Sequence, residues 1–278
     1  CSFKNVRRLS QVLRSLQHIY KYMPRSLGIA LIGQQFMGRA HGKARGQVAK
    51  FFDLPLNPRL VTVCARDKAT LAPFAKRWGW ERFTTNWKIL GPDSDIQLVD
   101  IATPNHRHAE PAIAMLEAGK HVACEKPLAG TLADARAMKE AARRAKGKTF
   151  VWFNYRRCPA VGLAWGLVKE GALGTLHHVR GHYLQSWGGK DTPLLWRFQK
   201  SQAGSGAHGD LNAHIIDLVR FISGKEITTV HGAVSKTFIT RRRIPGTRRT
   251  GRSTVDDALL FLATLLEGGT TRADPPVA

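Results

Sequence analysis

The chain has 278 residues, 43% of them hydrophobic, and a formal net charge of +23 at pH 7. This length suits one large or two ordinary globular domains, and the lack of any run of about 18 apolar residues excludes a membrane-spanning helix. The four cysteines are scattered without a CxxC pair, which favours reduced thiols in a cytoplasmic protein over a zinc site or a disulfide framework.

Residues 1–26 form a basic extension that contains no acidic residue. Its apolar residues recur at helical spacing with arginines and lysines between them, which predicts an amphipathic helix. The same composition is typical of an organellar transit peptide. A surface helix and a targeting leader therefore both remain open for this segment.

Strands and helices alternate between residues 27 and 156. The predicted strands are 27–33, 59–65, 96–104, 121–127 and 149–156. The predicted helices begin at Phe36 and then cover 69–79, 108–119 and 131–146, with Gly79 ending one and Thr131 capping another. Near-continuous apolar strands between helices indicate a parallel sheet covered on both faces, so we predict a doubly wound α/β domain over 27–156.

The pattern changes in the second half, where we predict an α+β domain over residues 157–278. Its predicted helices are 160–171 and 210–224, and its predicted strands are 176–187, 227–239 and 257–268. The arginine-rich segment 241–252 contains Gly, Pro and Thr, which predicts a loop. Its charge is not interleaved with aromatic residues, so nucleic acid is not favoured as a partner. A nucleic-acid-binding protein would need an affinity that falls steeply with salt.

A glycine-flanked turn lies between the first strand and the first helix. Gly33 and Gly38 occupy the outer positions of a dinucleotide-binding fingerprint, with Gln35 at the middle position and Phe36 and Met37 opening the helix. Such a turn brings backbone amides at a helix N-terminus to a pyrophosphate. We expect these five residues to contact a dinucleotide, although an ordinary strand–helix turn fits the same spacing.

The end of the second strand bears on the choice of cofactor. NAD enzymes usually place an acidic residue there to hold the ribose hydroxyls, but this chain has Ala65 followed by Arg66. A small residue and a guanidinium leave room and charge for a 2′-phosphate, which slightly favours NADP over NAD. In the alternative, Asp67 binds the ribose and Arg66 is a surface residue.

Polar residues follow the central strand in the segment 103–108. Ligands of doubly wound sheets bind beyond the carboxyl ends of the strands, so Thr103, Pro104, Asn105 and His108 are candidates for cofactor contacts. Asn105 or His108 could instead cap the helix that follows.

Two further segments carry groups suited to proton transfer. The apolar run before residue 125 ends abruptly in Glu125, Lys126 and a proline. Asp210 and His214 are four residues apart, which places them on one helix face. A carboxylate there can orient a histidine or share a proton with it, while a packed core histidine fits the same spacing.

These segments resemble the Gfo/Idh/MocA family of nicotinamide-dependent oxidoreductases. The resemblance lies in "ALIGQQFMGRAH", "LVDIATPNHRHAEPAIAMLEAGKHVACEKPLAG" and "GSGAHGDLNAHIIDL", and "FNYRRCPAV", "YLQSW" and "WRFQKSQAGSG" are similar to its branch acting on inositols and anhydrosugars. It implies an N-terminal Rossmann domain and a C-terminal domain with an open, largely antiparallel sheet. It also implies Lys126, Asp210 and His214 as catalytic residues and Glu125 as part of the cofactor site.

The resemblance implies an NAD(P)-dependent dehydrogenase of a sugar or polyol that forms homodimers or homotetramers. His214, oriented by Asp210, would take the proton of a substrate hydroxyl while Lys126 holds its oxygen. Candidates for the substrate wall are Arg156, Tyr183, Trp187 and Arg197.

Three features depart from the family pattern. Gln35 replaces the middle glycine, and His208 and Asn212 flank the catalytic pair at positions that usually hold other residues. The sequence stops at "EGGTTRADPPVA", where the family continues with further strands, and its two prolines do not suit a central strand. A non-catalytic, truncated nucleotide-binding member is therefore the alternative to an active dehydrogenase.

Overall fold

The computed structural model describes residues 26–267, so the predicted N-terminal amphipathic helix lies outside the described residues. The chain divides after Asp100 into two compact units. That division falls within a strand of the main sheet, and the predicted domain boundary at 156/157 stays a prediction.

The first unit contains strands and helices that alternate from β1 to β3. They are β1 (Ser26–Ile32), α1 (Phe36–Gln47), β2 (Asn57–Cys64), α2 (Lys68–Trp78), β3 (Arg82–Thr84) and most of β4 (Leu98–Ile101). Strands β1 and β2 pair in parallel with Ile32 opposite Cys64. Their carboxyl-terminal halves are fully buried, as expected for strands covered on both faces.

The helix boundaries in this unit follow local capping. The Asp67 carboxylate accepts a hydrogen bond from Ala69 N at the start of α2. Gly79 ends the helix at a φ of 75°, which confirms its predicted role and reflects the left-handed conformation that glycine adopts without strain. The short strand β3 was not predicted, because three residues are too few to show a period.

The second unit continues the alternation and then changes character. It contains α3 (Ala109–Glu117), β5 (His121–Cys124), α4 (Leu132–Arg144), β6 (Thr149–Val151), α5 (Pro159–Lys169), α6 (Lys200–Ala203), α7 (Ala213–Ser223), β7 (Lys225–Lys236), β8 (Arg241–Arg243), β9 (Thr250–Arg252) and β10 (Ala258–Glu267). Thr131 caps α4 by accepting a hydrogen bond from Asp134 N, which confirms the predicted cap.

The six strands of the main sheet have the order β3-β2-β1-β4-β5-β6. This is the order of a doubly wound Rossmann sheet, so the predicted α/β class is confirmed. In such a sheet the carboxyl ends of the strands carry the ligand-binding loops. The candidates for ligand contacts are therefore the residues after β1, β2, β4, β5 and β6.

The remaining strands form two small antiparallel sheets. Strand β7 pairs with β10 over most of their length, and β8 pairs with β9 as a hairpin. The predicted strands 227–239 and 257–268 correspond to β7 and β10. Within residues 26–267, no helix is long and apolar enough to cross a membrane.

Two secondary-structure predictions for this half were wrong. Residues 176–187 run as an irregular segment, since an alternating pattern makes a strand only when a neighbouring strand pairs with it. Residues 241–252 form the β8–β9 hairpin instead of a loop. Pro245 and Gly246 lie in the connection between the two strands, whereas Gly251 lies within β9.

Candidate active site

The turn after β1 has the backbone geometry of a phosphate-binding loop. Gly33 adopts a φ of 121°, and its N–H donates to the Cys64 carbonyl at 2.9 Å. A Cβ atom on Gly38 would lie 2.2 Å from the Gly33 carbonyl oxygen. A side chain is therefore excluded at Gly38 and strained at Gly33, as the fingerprint requires.

Gln35 lies at the start of α1, and its side chain is exposed. Its backbone is extended and its side chain makes no capping hydrogen bond. The adjoining Phe36 is 70% exposed, Met37 is half-buried, and the first turn of α1 contains no acidic residue. The amides at this helix N-terminus therefore suit an anionic pyrophosphate, and the turn fits a dinucleotide.

The residues after β2 are an engaged aspartate and an exposed arginine, and the preference for NADP over NAD stays a prediction. Both carboxylate oxygens of Asp67 are engaged, one by Ala69 N at 3.0 Å and one by Thr70 Oγ1 at 2.7 Å. The hydrogen bond from Thr70, then that from Ala69, lowers the pKa of Asp67. Ala65 donates its N–H to the Thr84 carbonyl, and the exposed Arg66 forms no ion pair with any residue that the structure describes.

The loop after β4 is tied to backbone atoms within the second unit. Asn105 is buried and donates from Nδ2 to the Ala203 carbonyl at 2.9 Å. His108 is fully buried, with Nε2 2.8 Å from the Thr103 carbonyl and Nδ1 3.1 Å from the Pro127 carbonyl. Desolvation lowers the pKa of His108. Both ring nitrogens face backbone oxygens, which gives His108 a positioning role; cofactor contacts by Thr103, Pro104, Asn105 and His108 stay predictions.

Lys126 and Asp210 form an ion pair at the centre of the candidate site. The Lys126 Nζ lies 2.7 Å from Asp210 Oδ1 and 2.9 Å from the Asp210 carbonyl oxygen. The Lys126 side chain is only 17% exposed, and a cis peptide bond joins it to Pro127. The buried Glu125 accepts the Lys126 N–H at 3.0 Å. Strand β5 thus delivers the lysine to a carboxylate from the segment before α7.

His214 lies beside this ion pair in an aromatic surrounding. It is 5% exposed, and its Nδ1 is buried without a hydrogen-bond partner among the described residues. Its ring centre is 4.6 Å from that of Tyr155 and 6.0 Å from that of Phe153. Burial, followed by the positive charge of Lys126, lowers the pKa of His214 to about 4. The imidazole is therefore neutral at neutral pH, with a nitrogen able to accept a proton.

The expected contact between Asp210 and His214 is not formed. Asp210 hydrogen-bonds Lys126 instead, because residues His208–Asn212 form a π-helical turn and the regular helix α7 begins only at Ala213. Against the larger lowering by burial, the charge of Asp210 still acts to raise the pKa of His214, but the four-residue spacing does not give the hydrogen bond expected on one face of an α-helix. Asp210 acts on the lysine, and the histidine is held by packing.

Two tyrosines next to His214 form a hydrogen-bonded pair. The hydroxyl oxygens of Tyr155 and Tyr183 are 2.5 Å apart, and Gln185 Nε2 donates to Tyr183 at 2.6 Å. Burial, then the hydrogen bond with Tyr155, raises the pKa of Tyr183 to about 12. Tyr183 was predicted as a substrate-wall residue, whereas Tyr155 was missed. Its position just after β6, at a strand's carboxyl end, was the signal that could have identified it.

The other predicted substrate-wall residues differ in what they contact. The Arg156 guanidinium is held by the buried Asp217, with Nε 2.8 Å from Oδ2 and Nη2 2.5 Å from Oδ1. Arg197 lies 4.5 Å over the Trp196 ring. Trp187 is 40% exposed. Arg156 therefore forms a structural ion pair with Asp217. Substrate contacts by Arg156, Trp187 and Arg197 stay predictions.

The lowered pKa of His214 predicts an acid-dependent loss of stability. Between the ordinary pKa of 6.5 and the folded value of about 4, the unfolded chain binds a proton that the folded chain excludes, so the free energy of unfolding falls as pH falls through this window. We expect His214→Asn, which does not titrate, to show a smaller drop in Tm between about pH 7 and about pH 4.5. The exposed His208→Asn variant should keep the parent's dependence. An equal drop in all three proteins would contradict the assignment.

Two family models together cover most of the chain. Residues 27–153 match the model described as an oxidoreductase family with an NAD-binding Rossmann fold. Residues 163–272 match the GFO/IDH/MocA C-terminal domain. The three candidate cofactor segments, which follow β1, β2 and β4, and the Lys126–Asp210 pair lie within these ranges.

The chain is similar to several sugar dehydrogenases over part of their length. It is 46% identical over 219 residues to levoglucosan dehydrogenase of Pseudarthrobacter phenanthrenivorans, covering 78% of this chain and 56% of that protein. An oxidoreductase domain protein of Kribbella flavida is 49% identical with a TM-score of 0.84, covering 88% and 65%. Levoglucosan dehydrogenase in complex with NADH and levoglucosan is 43% identical with a TM-score of 0.82, covering 86% and 64%. The chain thus spans less than two thirds of each of these relatives.

Proposed function

The chain belongs to the Gfo/Idh/MocA oxidoreductase family, and on that premise we propose that it transfers a hydride between a hydroxyl-bearing carbon of a sugar or polyol and NAD(P). The observation that carries this proposal is the Lys126–Asp210 ion pair beside a neutral, buried His214. A positioned cation and a neutral base next to each other are what the oxidation of an alcohol requires.

The three side chains divide the chemistry among them. The Lys126 ammonium is a donor only, so it binds the substrate oxygen and stabilises the negative charge that develops on it. Asp210 holds the ammonium in place through Oδ1. The neutral His214 accepts the hydroxyl proton, while the carbon–hydrogen bond breaks with its electron pair and a carbonyl forms. When bound, the nicotinamide ring supplies the hydride acceptor.

The surroundings of His214 suit a ring-shaped, hydroxyl-rich ligand. Phe153, Tyr155 and Tyr183 pack around the imidazole, and the tyrosine hydroxyls supply hydrogen-bonding groups. Apolar and aromatic surfaces with few fixed polar groups are typical of sites for small molecules. We propose an anhydrosugar or a related sugar as substrate, in keeping with a relative named levoglucosan dehydrogenase.

The experiment that tests this function combines cofactor titration with turnover. The chain should change the fluorescence of NADPH or NADH on binding, and it should reduce NADP⁺ or NAD⁺ when anhydrosugars, aldoses or inositols are added. Binding without turnover on any of these substrates would support the non-catalytic alternative. Assembly into dimers or tetramers and a cytoplasmic location stay predictions.

We expect the exchange Ala65→Asp with Arg66→Ala to reverse the cofactor preference from NADP to NAD. An acidic side chain after β2 accepts the ribose hydroxyls and repels a 2′-phosphate, whereas an arginine can bind that phosphate with two hydrogen bonds. The ratio of kcat/KM for the two cofactors should shift by roughly tenfold or more, the equivalent of one charge-assisted hydrogen bond. Equal use of both cofactors by the parent and the double variant would remove the basis for this assignment.

A further inference from the structure

A buried arginine lies in the middle of the otherwise exposed β8–β9 hairpin. Arg242 is 1% exposed, while its neighbours Arg241 and Arg243 are exposed on either side. A buried guanidinium is unfavourable unless its donors are paired. The partners of Arg242 therefore indicate what this residue holds in place.

Arg242 links the start of β10 to a distant loop. Its Nη2 lies 3.0 Å from Asp257 Oδ1 and 2.9 Å from the Gly188 carbonyl oxygen, and its Nη1 lies 2.8 Å from the Gly189 carbonyl oxygen. Asp257 is itself fixed, since its Oδ2 accepts the Ile239 N–H at 2.7 Å. The planar guanidinium fork thus holds two consecutive carbonyls of the loop against a fixed carboxylate.

The loop held in this way presents an indole ring. We call residues 187–192 the tryptophan loop; it is closed by a hydrogen bond from Thr192 Oγ1 to the Trp187 carbonyl. The Arg242 guanidinium lies 3.6 Å over the Phe198 ring, whose centre is 5.7 Å from that of Trp187. Trp187 is packed on Phe198 yet 40% exposed, which leaves indole surface open to a ligand.

The tryptophan loop directly continues the segment that reaches the His214 cluster. Tyr183 packs against His214, and Trp187 follows four residues later. Their Cα atoms are therefore no more than about 14 Å apart, the reach of four extended residues. We propose that Arg242 is a positioning residue that sets sugar affinity by holding the tryptophan loop, and so the Trp187 ring, against the substrate. This inference rests on the proposed function.

The first test separates binding from chemistry. In Arg242→Met the loop carbonyls lose their donors, so the KM for the sugar should rise by roughly tenfold, the worth of one aromatic contact. The kcat should stay within about threefold of the parent, because the lost contact acts on ground state and transition state alike. Affinity for NADPH should not change. The matched control Arg243→Met, from the exposed neighbour on the same strand, should leave both KM and kcat unchanged.

The second test asks whether Arg242 acts through Trp187. Trp187→Ala should raise the KM on its own, and adding Arg242→Met to it should raise the KM little further, since residues acting as a unit are not additive. A merely structural arginine would raise the KM by the same factor in both backgrounds. That additive result would overturn the inference.

A spectroscopic test works without turnover. In protein labelled with 5-fluorotryptophan, one of the seven tryptophan signals is assigned to Trp187 by the variant Trp187→Phe. We expect that signal to shift or broaden in Arg242→Met and not in Arg243→Met. If Arg242→Met does not fold, Arg242→Lys, which keeps the charge but lacks the planar fork, decides by the same measurements. If the parent oxidises no sugar, the proposed function fails, and an unchanged Trp187 signal would separately overturn the positioning role.

Discussion

Lys126→Ala is expected to lower kcat by roughly 10²–10⁴-fold, the usual worth of a positioned acid, base or charge-stabilising group. In the proposed mechanism the lysine is the cation that binds the substrate oxygen, and its ion pair with Asp210 at 2.7 Å fixes where that charge lies. Dinucleotide affinity should persist, because the phosphate-binding turn after β1 is intact. Steady-state kinetics and a fluorescence titration of NADPH measure the two properties separately.

The variant should remain folded. Asp210 is 28% exposed, so water can solvate its carboxylate once the lysine is gone. The control Lys139→Ala removes an exposed lysine from α4 and should leave turnover unchanged. Near-parental turnover of Lys126→Ala on a substrate that the parent oxidises would show that the assigned mechanism is wrong.

His214→Asn is expected to lower kcat by a similar factor of roughly 10²–10⁴, because asparagine cannot take up the hydroxyl proton. The buried imidazole is neutral, with a pKa lowered to about 4, so it is present in its proton-accepting form at neutral pH. His208→Asn, which removes an exposed histidine from the preceding π-helical turn, should retain parental turnover.

The double variant tests whether Lys126 and His214 act in the same step. Lys126→Ala with His214→Asn should lose less activity than the product of the single losses, because groups that act together on one oxygen are not additive. A fully multiplicative loss would show that the two residues act in separate steps. Stopped-flow measurement of the first turnover distinguishes chemistry from product release in each protein.

Much of the nucleotide-binding half could be predicted from the sequence, because local rules determine it. Gly33 marks a backbone position with positive φ, and Gly38 marks a position where a side chain cannot fit. Thr131 and Gly79 mark helix ends through capping and a left-handed turn. The apolar strands between helices were enough to predict a parallel sheet covered on both faces. Each of these signals lies within a few residues of the feature it predicts.

The candidate site and the second half of the chain could not be predicted in the same way, because they depend on contacts between residues far apart in the chain. The ion pair of Lys126 with Asp210 joins positions 84 residues apart, and a π-helical turn, which leaves no periodic signal, removed Asp210 from His214. In the sequence, Arg242 could not be distinguished from the surface arginines around it. It is buried in the structure, where its guanidinium donates to the Gly188 carbonyl and to Asp257, which are far from it in the chain. The alternating segment 176–187 resembled a strand but has no strand partner within residues 26–267.

Hydride transfer from a sugar carbon to a nicotinamide cofactor is the activity that we propose for the chain. The most direct measurement uses a sugar substrate deuterated at its carbinol carbons, with mass spectrometry of the reduced cofactor after turnover by the 278-residue chain. We expect deuterium to appear on the nicotinamide ring, and we expect Lys126→Ala and His214→Asn to slow its appearance in proportion to their losses in kcat. Reduced cofactor without deuterium, or no reduced cofactor with any sugar or polyol despite tight dinucleotide binding, would contradict the proposed activity.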